Sequence, residues 1–189
     1  TTQCRLLAEW LREKGKEVLL TKEPSDGPAG LFLQEVMASP DSVLGDNVLP
    51  YLFAGDRQDH QDRQILPALS KGHAVVTDRY YHSSLAYQGL SVGLPAVAQL
   101  NEDFKAPDIT FFLWLSPETS FERIQLRGEA VERFETLDHL RSVSESYETV
   151  LAYCRSRGEN IVKIDASKTI EEIHKLMTEH LESLLDSSA

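Results

Sequence analysis

Apolar positions along the chain fall into two kinds of run. Short continuous runs mark buried strands: "EVLL" (17–20), "HAVVTD" (73–78), "ITFFLWL" (109–115) and "NIVKI" (160–164). The third has seven apolar or β-branched residues without alternation, which predicts burial on both faces. Stripes at helical spacing lie between these runs. Leu6, Leu7, Trp10 and Leu11 form one that stops at Gly15. Ile170, Ile173, Leu176, Met177, Leu181 and Leu184 form the last. Further helices are predicted over 31–38, 46–69, 117–127 and 137–157, with a helix–loop–helix over 81–103. Pro50 is tolerated in the first turn of the 46–69 helix, and Pro67 would kink its last. Pro24, Gly27, Pro28 and Gly30 mark a loop after the first strand. Continuous apolar strands alternating with helices predict an α/β fold, a parallel sheet with helices on both faces, in one domain. Ligands bind such sheets at the carboxyl ends of the strands.

Charge narrows the partners. A formal net charge of −11 over 189 residues argues against a general nucleic-acid or anionic-membrane binder. No apolar run reaches the ~20 residues of a membrane span, and no signal peptide opens the chain. Cys4 and Cys154 sit in no metal-ligand spacing, and a reduced cytoplasmic protein is the simpler reading. The six histidines are scattered, with no HxxxH or HExxH pair, so none reads as a metal ligand. No Ser-His-Asp elbow occurs either.

The candidate chemistry sits in "VVTDRYYHSSLAYQG" (75–89), where a buried strand runs into charge, hydroxyls and rings. Arg79 offers a planar fork of donors suited to phosphate oxygens. Asp78 beside it could orient that arginine, hold a metal-bound water or take a proton; a structural pair capping the strand is the alternative. Phe53 and Arg57, four apart on one helix face, suit a flat base and an anion, or equally a core ring beside a solvated arginine. Arg123, Arg127 and Arg133 read as anion-binding arginines of a lid or as a solvated charged face.

Taken in order, "TTQCRLLAEWL", "TKEP", "LFAGDR", "ILPAL", "VVTDRYYHSSLAYQG", "PDITFFLWLSPE", "RGEAVERFE" and "IDASKTIEEIH" resemble the thymidylate kinase family of P-loop nucleoside monophosphate kinases. The resemblance runs from the first residue to about Leu181. It implies a three-layer P-loop kinase fold and phosphorylation of thymidine monophosphate by ATP with Mg²⁺. By that resemblance Phe53 stacks on thymine, Arg57 lies near the base, and Arg79 holds the acceptor phosphate. Asp78 orients groups at the reacting phosphates, and Ser83, Ser84, Tyr87 and Gln88 wall the nucleoside. Glu23 matches the acid of an arginine-glutamate-proline loop, whose arginine is Lys22 here. Residues 128–135 fall at the family's lid, with Arg133 as the residue reaching the transferring phosphate. Arg123 and Arg127 are implied on the ATP side, and Asp165, Ala166 and Ser167 beside adenine. A cytoplasmic homodimer is usual in the family.

The family's opening strand and G-x-x-x-x-G-K-[ST] loop do not occur in this sequence. "TTQC" matches the residues after the loop lysine, so Thr1 is expected to face Mg²⁺ and Thr2 to lie beside the phosphates. The expectation is that roughly 15 further residues precede Thr1, with an interruption of the sheet between strands 73–78 and 109–115. Two other functions stay open: another nucleotide or deoxynucleoside kinase of this fold, and a non-catalytic nucleotide-binding homologue.

Overall fold

Two parallel strand pairs carry the architecture. The computed structural model describes residues 1–39, 44–127 and 136–187. Strand β1 (Val18–Lys22) pairs β2 (Ala74–Asp78), with Leu20 opposite Val76 and Lys22 opposite Asp78. Strand β3 (Thr110–Trp114) pairs β4 (Ile161–Asp165), with Trp114 opposite Asp165. Among the described residues β2 and β3 do not pair, which is the interruption expected from the sequence.

Strand residues alternate between two faces, and each face has its own helical layer. On one side Val75, Phe112 and Ile161 pack on α5 (Tyr81–Tyr87), α7 (Leu94–Leu100) and α9 (Leu137–Ser156), through Leu85, Val97, Val150 and Leu151. On the other, Val76, Phe111 and Ile164 meet α1 (Thr2–Glu13) and α10 (Ile170–Ser187), through Leu7, Leu11, Ile173, Met177 and Leu181. The result is the three-layer α/β arrangement that the apolar pattern predicts. Burial along β3 is less complete than expected, with Leu113 38% exposed. A satellite core joins α2 (Pro28–Ala38) to α3 (Leu49–His60) through Leu33, Val36 and Leu49.

The expected 46–69 helix begins later and is not uniform. Residues before Leu49 form a turn in which the Val48 amide donates to the Gly45 carbonyl. After α3 the chain makes a π-helical turn, Gln61–Ile65, and then α4 (Leu66–Ser70). Pro67 explains this in part. Proline lacks an N–H and its ring crowds the carbonyl four residues back. Here that carbonyl belongs to Arg63, inside the wider turn, which takes up the crowding without a break. The connection after β2 continues through α5, a short α6 (Gly89–Val92) and α7, and α8 (Pro117–Arg127) follows β3.

Leu151 is 1% exposed in the α5–α9 layer. Its replacement by Ala is expected to lower unfolding free energy by about 2–5 kcal/mol, read as a lower urea midpoint with unchanged slope.

Candidate active site

The carboxyl ends of β1 and β2 hold the polar residues together. The Glu23 amide donates to the Asp78 carbonyl at 3.0 Å, extending the strand pairing by one residue. The loop behind Glu23 is then fixed from two sides. Asp56 of α3 accepts from the Ser25 amide at 2.8 Å and from the Ser25 hydroxyl at 2.5 Å. Gly30 of α2 lies so close that a Cβ there would stand 2.1 Å from the Ser25 carbonyl oxygen. Only glycine permits that approach.

This clamp delivers the Glu23 carboxylate to a buried arginine. Glu23 is 5% exposed and Arg57 1%. Glu23 Oε2 accepts from Arg57 Nε at 2.9 Å and lies 2.7 Å from Nη2. Arg57 Nη1 donates to Asn101 Oδ1, and Nη2 donates to Ser84 Oγ at 3.1 Å. The Tyr80 and Phe104 rings lie 5.5 and 5.6 Å from the guanidinium carbon. His60, one turn on, contacts Glu23 Oε1 through Nδ1 at 3.3 Å and Thr21 Oγ1 through Nε2 at 2.7 Å. Burial raises the Tyr80 phenol well above its ordinary pKa, and Glu23 adds to the effect, so the ring stays neutral.

Asp78 and Arg79 lie at the open edge of this network. The Thr1 hydroxyl donates to Asp78 Oδ2 at 2.7 Å, so the start of α1 sits at the end of β2. Thr2 opens α1 and is exposed. Arg79 has φ +68°, a left-handed conformation that costs a non-glycine residue roughly 1–3 kcal/mol. The Thr77 hydroxyl holds it by donating to the Arg79 carbonyl at 2.9 Å. The Arg79 guanidinium carbon lies 5.8 Å from the Tyr87 ring. Tyr87 meets Tyr147 edge-on, and the Tyr147 phenol donates to Ser83 Oγ at 3.3 Å. Burial pushes that phenol up to about 12. Tyr87 and Gln88 also border a cavity of about 370 Å³, closed further by Leu49, Leu90 and His139. Phe53 is half-buried against the α2–α3 core, one turn before Arg57.

A second group gathers at the ends of β3 and β4. The Ala166 amide donates to the Trp114 carbonyl at 2.8 Å, and Asp165 Oδ1 accepts from the Ser167 amide at 2.9 Å. Arg123 Nη1 donates to the Ala166 carbonyl at 3.2 Å, which brings α8 to this segment. Arg127 is the last residue of α8. Arg133 and the expected lid, 128–135, lie outside the described residues.

The structure therefore brings Glu23, Arg57 and Ser84 into one network, and Asp78 to Thr1 beside it. His60, Asp56 and Asn101 belong to that network and were not predicted. His60 had a local signal, being three residues after Arg57 on the same helix face. Asn101 lies 44 residues from Arg57 in sequence, and nothing near it advertises the contact.

A three-layer parallel α/β core with its polar residues at the strand ends is the P-loop kinase arrangement. The chain belongs to the thymidylate kinase family: the family model described as thymidylate kinase matches residues 1–177. The chain is 39% identical over 180 residues to the "Probable thymidylate kinase" of Pyrococcus horikoshii, covering 92% of this chain and 85% of that protein. It is 36% identical over 188 residues to the protein of the same description from Archaeoglobus fulgidus, covering 98% and 90%. Against the "Thymidylate kinase" of Xanthomonas campestris pv. campestris it is 36% identical over 181 residues, covering 94% and 77%.

Removing Arg57 strands the Glu23 carboxylate in the interior. Arg57→Ala is expected to cost about 3–5 kcal/mol of unfolding free energy, the scale for an uncompensated buried charge. Adding Glu23→Gln should recover part of that loss in a double-mutant cycle followed by urea unfolding.

Proposed function

We propose that this chain phosphorylates thymidine monophosphate to thymidine diphosphate, with ATP as donor and Mg²⁺ as the metal. The observation that carries the reading is the family match over residues 1–177, joined to a cationic Arg79 held at the end of β2 beside Tyr87. Phosphoryl transfer asks the protein for positioned charge rather than covalent chemistry. Arg79 supplies that charge to the acceptor phosphate, with its guanidinium carbon 5.8 Å from the Tyr87 ring. Asp78 orients groups at the reacting phosphates. Thr1 Oγ1 and the Asp78 carboxylate are paired hard oxygens, the donor type that suits Mg²⁺. When bound, Mg²⁺–ATP supplies the phosphoryl group, with the metal neutralising charge on its oxygens.

Phe53 stacks on the thymine ring, and Ser83, Ser84, Tyr87 and Gln88 wall the nucleoside. Arg57 acts at the floor of this pocket. Its three guanidinium nitrogens already have protein partners, so it fixes Glu23, Ser84 and Asn101 and has little left to give a base. Discrimination at the base edge then falls more to Gln88, which is buried. On the donor side, Arg123, Arg127 and Arg133 take the ATP phosphates, and Asp165, Ala166 and Ser167 lie against adenine. Proximity of Arg123 to Ala166 supports that grouping.

The same reading places the enzyme in the cytoplasm as a homodimer. The free Cys4 and Cys154 support the first part. Exposed Leu31, Phe32 and Tyr51 on the neighbouring helices α2 and α3 support the second.

Arg79→Ala is expected to lower kcat/KM for thymidine monophosphate by ~10²-fold or more, with circular dichroism unchanged. Near-normal turnover in a coupled assay of ADP release would remove the assignment. Gln88→Ala should narrow the preference for thymidine over cytidine monophosphate in the same assay. An unchanged ratio of the two kcat/KM values would remove Gln88 from base recognition.

A further inference from the structure

The sequence spacing hides one cluster that the fold assembles. Cys154 lies in the last turn of α9, and Glu159 follows that helix. The helix ends in a Schellman turn: the Glu159 amide donates to the Cys154 carbonyl at 3.2 Å and the Gly158 amide to the Arg155 carbonyl at 3.0 Å. Gly158, at φ +85°, makes the reversal. The turn thus carries the Glu159 side chain back over Cys154. His82, in the first turn of α5, reaches the same point, with Nε2 2.7 Å from Glu159 Oε2. The Tyr81 ring stacks on the His82 ring with centroids 4.2 Å apart.

A His82 ring nitrogen, Cys154 Sγ and a Glu159 carboxylate oxygen all lie within 4.8 Å of one another. We propose that these three residues form a site for a zinc-type divalent transition metal, outside the phosphoryl-transfer site. Imidazole, thiolate and carboxylate are the ligand types zinc takes, and its bond lengths set donors about 3.3–3.6 Å apart around a tetrahedron. To reach that spacing, His82 Nε2 and Glu159 Oε2, now 2.7 Å apart, open as the metal enters between them. Cys154 is fully buried, so the approach runs past His82 and Glu159, whose side chains are 9% and 10% exposed. Water fills the fourth position. On binding, the Cys154 S–H gives its proton to solvent and a metal–sulfur bond forms. The bound ion ties the start of α5, and so the loop after β2, to the end of α9.

The test uses the whole chain, stripped with a chelator and kept free of Mg²⁺ and nucleotide. Titration with Co²⁺ is expected to give a thiolate-to-cobalt charge-transfer band saturating at one ion per chain, and Zn²⁺ should displace it. Cys154→Ala should abolish the band, whereas Cys4→Ala should leave it intact. Glu159→Gln keeps the thiol and should weaken cobalt binding about tenfold or more. No saturating band, or one that survives Cys154→Ala, overturns the site. Should Cys154→Ala fail to fold, Glu159→Gln decides, and an unchanged cobalt affinity overturns the site as well.

Discussion

The Glu23–Arg57 ion pair is the contact on which the buried polar network at the ends of β1 and β2 depends. Two charges at 5% and 1% exposure are tolerable only when each finds its partners inside the protein. Arg57 finds them on three separate elements: the loop after β1, α5 and the residue closing α7. The pair therefore costs desolvation energy and returns geometry, since α3, α5 and α7 must all be in register for it to form. His60 and Thr21 extend the same demand to β1. A network built this way is specified by electrostatics more than by shape.

Next to this rigid network stands a strained one. Arg79 sits in a conformation that glycine would adopt freely, held by the Thr77 hydroxyl and by the pairing of β2 with β1. Energy gained in strand pairing and in packing Val76 offsets the local cost. The strain fixes where the Arg79 side chain leaves the backbone, and its guanidinium carbon lies 5.8 Å from the Tyr87 ring.

Much of this arrangement was legible in the sequence because it follows from short-range pattern. Continuous apolar runs marked all four strands, and parallel pairing followed from the intervening helices. The candidate residues Asp78, Arg79, Ser83, Ser84 and Tyr87 lie within one segment of strand, loop and helix, which is why a linear motif groups them. What escaped were contacts between distant segments. Asn101 and Asp56 look like ordinary polar residues until the fold places them against Arg57 and Ser25. Histidine spacing suggested no metal ligand, yet His82 and Glu159 meet across 77 residues because a helix cap bends the chain back. The start of α3 was misjudged for a simpler reason: a turn around Gly45 carries the same polar signal as a first helical turn.

The π-helical turn between α3 and α4 can be considered as a matter of phase. Each residue advances an α-helix by about 100°, so a turn holding one residue more than usual rotates everything after it. Before the turn, Asp56, Arg57 and His60 point at the polar network; after it, Leu69 packs on the apolar layer under α5 and α9. In a regular helix, at about 100° per residue, Leu69 would stand roughly 120° round from Arg57, and the wider turn, winding less per residue, changes that angle. The rod thus meets a buried polar network at one end and the apolar core at the other.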